Sequence, residues 1–252
     1  MGSESSLNSE QVAKQRALFP RGLSQPRGSY HFGQDALLLA RFAHSILSER
    51  SETIAELGCG SGASLCLLAL LRQNIFGLGF EKEAVHIACA KANTRALGLD
   101  THLSFVHCDL SSSQSTFFFQ DTFDALLANP PFYDKSEGHA PKTSLRDTAL
   151  RGDNALALFC DCATRLLRHH GFFFCIYPAS KTQKLFAQLA DSHFGLRYVA
   201  PLFSHHTHSS RLFIAARKNA KEDCQWLTEW SKDWQRMSID NHTQENVPKH
   251  QP

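Results

Sequence analysis

A glycine-rich stretch, AELGCGSGASL at residues 55–65, is the first place in the sequence where residue types and spacing suggest chemistry. Its glycines alternate with other residues, at Gly58, Gly60 and Gly62. Glu56 stands two residues before the first of them. Glycines between a strand and a helix let a ligand approach bare backbone, and the helix N-terminus supplies free N–H groups. We expect a ligand here, at the carboxyl ends of the strands; the alternative is a glycine-rich turn that binds nothing.

A second such place is FDALLANPPFY, residues 123–133, where an apolar run ends on Asn129. Two prolines follow, and then Phe132 and Tyr133. The prolines stiffen the turn and fix the direction of the carbonyl groups beside them. The alternative interpretation is that Asn-Pro-Pro forms only a turn, for which it is a common sequence.

The elements that position these stretches follow from the apolar pattern. Short apolar runs bounded by turn residues predict buried strands at 53–57, 75–80, 103–107, 123–129 and 171–177. Helical patterns fall at 62–73, 82–98 and 181–194. Strands that alternate with helices predict an α/β fold with a mostly parallel sheet and helices on both faces. Two later apolar runs, 196–203 and 211–218, are joined by a short polar segment and predict an antiparallel hairpin at a sheet edge.

The pattern E-x-G-x-G-x-G after the first strand resembles motif I of the class I S-adenosylmethionine-dependent methyltransferases. The resemblance implies a Rossmann-like, mostly parallel seven-stranded sheet whose final hairpin is antiparallel. It also implies that the cofactor is S-adenosylmethionine, bound by Glu56, Gly58, Gly60 and Gly62.

Two further cofactor positions follow from this resemblance. In the family an acid at the end of the second strand holds the ribose hydroxyls; we align Gly79 with that position, and Glu81 stands two residues later. Either Glu81 takes the ribose role through a shifted turn, or the cofactor binds more weakly, or Glu81 is only an acid favoured at a helix N-terminus. Asp109, after the third strand, stands where the family contacts the adenine amine; the alternative is an ordinary loop aspartate.

The sequence NPPF at 129–132 resembles the [N/D]-P-P-[Y/F/W] motif of methyltransferases that act on a planar amine nitrogen. An exocyclic amine donates two hydrogen bonds, and the Asn129 side-chain oxygen and the Pro130 carbonyl can accept both. Such acceptors aim the nitrogen lone pair at the methyl donor. The resemblance therefore makes Asn129, Pro130 and Phe132 the catalytic residues, with Phe132 stacking on the target ring and Asn129 also facing the cofactor.

The substrate amine is suggested by residues 19–43. They contain GSYHFGQDALLLA, which resembles the G-Y-R-F-x-x-D-A-x-L-L-A segment of the bacterial enzymes that methylate N6 of adenine 37 in tRNA1(Val), with His31 in place of the arginine. The implied partner is RNA, specifically tRNA. We predict the substrate-binding residues Phe32, Tyr133, Lys135, Lys142 and Arg146, with Arg21 and Arg27 on the same rim. The loop that carries the lysines could equally be an ordinary solvated loop.

Two other functions stay open at this point. The first is methylation of a protein glutamine or a small aromatic amine, although a glutamine enzyme is expected to carry a helical N-terminal domain for which the residues before motif I leave little room. The second is a cofactor fold kept as an RNA-binding or subunit-bridging module without catalysis, which the glycine at position 79 suggests.

Composition sets the remaining expectations. With 252 residues, 42% hydrophobic, 20% charged and a net charge of +2, the chain predicts one globular domain over residues 18–235, with flexible segments at 1–17, uncapped, and 236–252. No apolar run of transmembrane length or signal peptide is visible, so we expect a cytoplasmic protein, favoured as a monomer. The eight cysteines lack zinc-ligand spacing and are expected to be reduced core thiols.

Histidines and aromatic residues raise three smaller questions. His205, His206 and His208 suggest a metal site, but without acidic or cysteine partners an exposed polar turn is favoured, and no metal is expected. The phenylalanines at 117–119 either pack under the fourth strand or form an exposed apolar patch. Trp226, Trp230 and Trp234 are spaced as one stripe of a helix that docks on the domain.

Overall fold

The computed structural model describes residues 8–26, 32–72, 74–131, 155–204 and 208–230. Its helices are α1 (Ser9–Leu18), α2 (Gln34–Ile46), α3 (Ala63–Leu71), α4 (Ala84–Ala96), α5 (Ala155–Leu166) and α6 (Thr182–Asp191). Its strands are β1 (Thr53–Leu57), β2 (Phe76–Glu81), β3 (Leu103–His107), β4 (Phe123–Ala128), β5 (Leu167–Pro178), β6 (Phe194–Ser204), β7 (His208–Lys218) and β8 (Gln225–Trp226). Two short 3-10 helices cover Ser113–Phe119 and Ala179–Lys181.

These strands form one sheet in the order β3-β2-β1-β4-β5-β7-β6-β8. The pairs from β3 to β5 are parallel, whereas β7 lies antiparallel to both β5 and β6. The predicted α/β fold with a final antiparallel hairpin is confirmed. The structure adds a short eighth strand, β8, which pairs parallel with β6.

Two hydrophobic clusters cover the two faces of this sheet. Neighbouring strand residues point to opposite faces, so Ile54 belongs to the cluster with α2, α3 and α4 while Ala55 belongs to the cluster with α5 and α6. Phe174 and Phe173 of β5 alternate in the same way. The sequence therefore reads as continuous apolar runs because both faces of the central strands are buried.

The N-terminal helix α1 differs from the expectation. Residues up to 17 were expected to be uncapped, but the Asn8 side chain accepts the Gln11 N–H at 2.9 Å and the Gln11 side chain accepts the Asn8 N–H at 3.0 Å. This capping box satisfies two N–H groups that a helix start leaves open, so the expectation of an uncapped segment is wrong. The Arg16 guanidinium also donates to the Leu97 carbonyl at 2.8 Å, which joins α1 to the end of α4.

The predicted helix carrying the three tryptophans differs from the structure at Trp226. Trp226 lies in β8 and is 56% exposed, because pairing with β6 extends the backbone where helical spacing predicted a helix. Trp230 does dock on the domain, with its ring centroid 5.0 Å from that of Phe42 and 5.5 Å from that of Phe213. Trp234 and the predicted tail at 236–252 lie outside the described residues.

The phenylalanines at 117–119 divide between the two expectations. Phe119 packs against Phe80, with ring centroids 5.5 Å apart, whereas Phe117 and Phe118 are exposed.

All eight cysteines are free thiols, and burial raises the pKa of Cys59 well above its ordinary value.

None of the helices within the described ranges has the length and apolar character needed to cross a bilayer. The same part of the chain contains no cluster of histidine, cysteine and acidic side chains that could hold a metal ion; His205 and His206 lie outside it.

Candidate active site

The register of four parallel strands brings the predicted cofactor residues to one edge of the sheet. Leu57, the last residue of β1, is level with Phe80 of β2 and Ala128 of β4. Glu81, which ends β2, is in turn level with His107, which ends β3. The segments that follow these strands therefore stand side by side, in the order Asp109, Glu81, glycine loop and Asn129. A crevice at the carboxyl ends of parallel strands is the usual ligand site of such sheets.

The glycine loop, residues 58–62, adopts backbone conformations that suit glycine. Gly58, Gly60 and Gly62 have φ angles of 64°, 54° and 78°. A Cβ on Gly62 would also lie 3.0 Å from the Phe105 ring and 3.3 Å from the Ala90 Cβ. Gly62 is the N-cap of α3, so this close approach fixes the start of the helix beneath the loop.

Glu81 lies on the neighbouring strand and is hydrogen-bonded to the glycine loop. Its carboxylate accepts the Gly60 N–H at 2.9 Å through one oxygen and the N–H groups of Lys82 and Glu83, at 2.9 and 3.0 Å, through the other. The side chain is 8% exposed, so these charge-assisted hydrogen bonds compensate its burial.

The alignment of Gly79 with the ribose-binding acid is wrong, because β2 extends to Glu81. Gly79 instead lies inside the strand, where a Cβ would be 2.6 Å from both Cys59 Sγ and a ring carbon of Phe105. Glycine is required there by close packing, and the acid at the end of the second strand is Glu81 itself.

Glu56 lies near the end of β1 and is 4% exposed. Burial raises the pKa of its carboxyl to about 8, against hydrogen bonds from the Ser64 side chain and the Leu65 backbone that favour the ionised form. Its Oε2 atom is buried and has no hydrogen-bond partner among the described residues. An unpaired buried carboxyl oxygen beside the glycine loop suits a cationic ligand group, whose positive charge would favour the ionised carboxylate.

Asp109 follows β3 and is exposed. Its Oδ1 accepts both the Ser111 N–H at 2.9 Å and the Ser111 hydroxyl at 2.8 Å. These hydrogen bonds lower the pKa of the carboxyl, with the backbone bond the largest cause, so it is ionised at neutral pH and available as an acceptor at the rim of the crevice.

Asn129 follows β4 directly, and Pro130 behind it is buried. The Asn129 Oδ1 atom is buried and has no hydrogen-bond partner within the described ranges. A buried acceptor without a donor costs free energy unless a ligand supplies the hydrogen bond, so this oxygen suits an amine N–H. The other predicted residues of this motif and its loop lie outside the described residues; these are Phe132, Tyr133, Lys135, Lys142 and Arg146.

Phe32 begins the segment that leads into α2 and is half-buried, with its N–H donated to the Gln25 side chain at 3.0 Å. In the first turn of α2, Asp35 accepts from the Arg211 guanidinium at 3.3 Å. Because Arg211 is level with Pro178 at the end of β5, this ion pair holds the start of α2 at the same edge of the sheet as Asn129. Arg21 is exposed, and Arg27 lies outside the described residues.

Two residues near the glycine loop were missed by the sequence analysis. Asn93 of α4 is 2% exposed and donates to the Ser61 carbonyl at 3.0 Å. His86 of α4 has a buried Nδ1 without a partner in the described part of the chain, and a Cβ on Gly60 would lie 3.8 Å from that nitrogen. An asparagine in a helix interior is a poor helix former, and that is the signal that could have pointed to Asn93.

These residues fit S-adenosylmethionine. The unpaired Glu56 oxygen suits its ammonium group, the bare backbone of the glycine loop admits close approach, and the acids Glu81 and Asp109 suit its hydroxyl and amine groups. The cofactor supplies a methyl group on a sulfonium centre. The fold and this edge together define a class I S-adenosylmethionine-dependent methyltransferase.

Comparison with known proteins agrees with this class. The profile of a family described as a methyltransferase domain matches residues 48–241, so the chain belongs to that methyltransferase family. Residues 48–241 thus form an S-adenosylmethionine-dependent methyltransferase domain.

Curated relatives fall into two groups. The human MTRF1L release factor glutamine methyltransferase is 32% identical over 54% of this chain and 43% of its own length. A tRNA1(Val) (adenine(37)-N6)-methyltransferase from Porphyromonas gingivalis is 28% identical over 61% of this chain and 60% of its own length. The chain spans less than half the length of the human relative and less than two thirds of the bacterial one.

Solved structures show the fold. The crystal structure of a predicted O-methyltransferase from Agrobacterium tumefaciens superposes with a TM-score of 0.61 at 15% identity, covering 77% of this chain and 85% of that one.

Proposed function

We propose that this methyltransferase transfers the methyl group of S-adenosylmethionine to the exocyclic N6 nitrogen of an adenine in tRNA, with adenine 37 of tRNA1(Val) as the first candidate. The observation that carries the proposal is the buried Asn129 Oδ1, which lacks a partner among the described residues and stands beside Pro130 at the end of β4. This edge also carries the glycine loop, one strand away.

The chemistry follows from two acceptors. An exocyclic amine donates one hydrogen bond to Asn129 Oδ1 and one to the Pro130 carbonyl, which draws the nitrogen toward tetrahedral geometry and directs its lone pair at the methyl group. No strong general base is needed, because the nitrogen can lose its proton after it has gained the methyl group. Phe132 provides a ring on which the adenine stacks.

The choice of adenine in tRNA rests on two supports. The sequence FGQDALLLA at 32–40 resembles the corresponding segment of the tRNA enzymes, and its aspartate is the residue that pairs with Arg211 at the active edge. The Porphyromonas relative is named for this reaction. Beyond these two supports, Arg21 is exposed, and its charge suits contact with RNA phosphates.

A second candidate is methylation of a glutamine side chain in a release factor, the reaction for which the human relative is named. A carboxamide nitrogen is planar and also donates two hydrogen bonds, so Asn129 and Pro130 would hold it in the same manner. The two candidates differ in the surface that presents the nitrogen.

The test is incubation of the protein with methyl-labelled S-adenosylmethionine and either total bacterial tRNA or purified bacterial release factors. Nucleoside analysis of the digested RNA and mass spectrometry of the digested proteins locate the label, and the Asn129→Ala variant is the background control. Label in N6-methyladenosine supports the first candidate. Label in a release-factor glutamine, or no label in RNA while calorimetry shows cofactor binding, overturns it.

A further inference from the structure

The residues between α1 and α2 are tied to the cofactor loop through a single side chain. Asn93 Oδ1 accepts the Ser24 N–H at 2.7 Å, and Asn93 Nδ2 donates to the Ser24 carbonyl at 3.0 Å. The same Nδ2 donates to the Ser61 carbonyl, also at 3.0 Å. One amide group therefore bridges two backbone segments that are far apart in sequence.

This bridge uses the full donor capacity of the amide. A side-chain amide has two N–H donors, and in Asn93 these are directed to Ser24 and Ser61. The side chain is 2% exposed, so water does not replace a lost hydrogen bond at low cost. Loss of the hydrogen bond from Asn93 to one segment should shift the other segment, because both hydrogen bonds depend on the position of one rigid amide group.

The loop end of the bridge lies within the cofactor site. Ser61 is 5% exposed and stands between Gly60 and Gly62. Gly60 is held on its other side by Glu81. The glycine loop is thus fixed by an acid from β2 and by an amide from α4, and the amide extends the connection to the N-terminal segment.

We propose that Asn93 is a positioning residue through which the segment at residues 20–26 contributes to the affinity of the protein for S-adenosylmethionine. The segment acts on the cofactor loop through the Asn93 amide. Phe32, a predicted substrate residue, donates its N–H to the Gln25 side chain of this segment at 3.0 Å, so the same bridge connects Phe32 to the cofactor loop.

Two substitutions at Ser24 separate the bridge from general packing. Ser24→Pro removes the N–H that Asn93 accepts and leaves the Asn93–Ser61 hydrogen bond in place, whereas Ser24→Ala keeps the backbone N–H. Thr94→Val is the matched control in α4, because Thr94 is also 2% exposed but its hydroxyl donates to Lys91 within the helix, at 3.0 Å.

The experiment measures the dissociation constant of S-adenosylhomocysteine by calorimetry for the wild type, these variants, Asn93→Ala and the Asn93→Ala/Ser24→Pro double variant. We expect Asn93→Ala to weaken binding about tenfold and Ser24→Pro about threefold, with no further loss in the double variant. Ser24→Ala and Thr94→Val should bind as the wild type does.

Two results would overturn the proposal. Equal affinity for Ser24→Pro and Ser24→Ala would show that the segment contributes nothing to the cofactor site. Losses that add in the double variant would show that Asn93 and Ser24 act independently. The surface substitutions at Ser24 decide the question even if Asn93→Ala does not fold, and neither outcome depends on the identity of the methyl acceptor.

Discussion

Glu81 accepts the N–H of Gly60 at 2.9 Å, so the last residue of β2 holds the middle of the glycine loop that follows β1. The two residues are 21 positions apart in the chain and meet because β1 and β2 pair in parallel. The Glu81 carboxylate therefore accepts hydrogen bonds from the protein backbone and also lies beside the ligand crevice. We propose that it also binds the ribose of the cofactor.

Replacement of this acid should weaken cofactor binding. Glu81→Gln keeps one acceptor oxygen but turns an NH2 group toward backbone N–H donors, so we expect the dissociation constant of S-adenosylhomocysteine to rise about tenfold to hundredfold. Glu83→Gln, two residues later and half-buried, is the control and should change it less than about twofold. Calorimetry measures both. Wild-type affinity in Glu81→Gln would contradict the assigned role.

Asn129 should affect the methyl transfer far more than cofactor binding. Asn129→Ala removes the buried acceptor at the end of β4, so we expect turnover to fall about 100- to 1000-fold while the cofactor dissociation constant changes little. Asn129→Asp keeps an acceptor oxygen and should retain more activity than the alanine variant. Steady-state kinetics with the labelled acceptor, together with calorimetry, provide the comparison. Parallel loss of both quantities would indicate a damaged fold instead.

The raised pKa of Glu56 predicts a pH dependence of stability. In the unfolded chain this carboxyl ionises near its ordinary value of 4.5, whereas burial raises its pKa in the folded protein to about 8. The folded state therefore binds more protons between these values, and the contribution of Glu56 to stability falls as pH rises through that range and is constant above it.

Glu56→Gln should remove this pH dependence. The variant carries no ionisable group, so we expect its free energy of unfolding, relative to the wild type, to improve by about 1–3 kcal/mol between about pH 5 and about pH 8.5. Urea denaturation at the two pH values measures the difference. A constant difference between variant and wild type would contradict the raised pKa.

The start of α3 should not tolerate a side chain. Gly62→Ala places a Cβ 3.0 Å from the Phe105 ring at a φ of 78°, so we expect a loss of about 1–3 kcal/mol in the free energy of unfolding. Gly33→Ala is a suitable control, because Gly33 is also an N-cap but has φ of −102° and no atom within 4 Å of an added Cβ. Similar losses in both variants would show that the close approach to Phe105 has no special cost.

Much of the fold and part of the site could be predicted from local sequence. Apolar runs placed the core strands to within a few residues, and both β1 and β3 have the predicted bounds, because each is a short apolar run bounded by turn residues. The glycine loop was also visible, since a backbone with positive φ restricts the residue types that can form it.

Other features depended on tertiary structure. The second strand was predicted at 75–80 but ends at Glu81, because pairing with β1 and β3 decides where the strand stops. Trp226 follows helical spacing but joins a strand, since β6 offers a free edge for pairing.

Contacts between residues that are far apart in the sequence also could not be predicted, because they depend on tertiary structure. Asn93 meets Ser24 across 69 positions, and Arg211 meets Asp35 across 176. Spacing along the chain carries no record of such contacts, since they form only when the packed helices and the sheet register bring the segments together. The sequence by itself determined the fold class and indicated a methyltransferase, because apolar runs and glycine spacing are local features, whereas the tertiary structure decided which distant side chains hold the glycine loop in place.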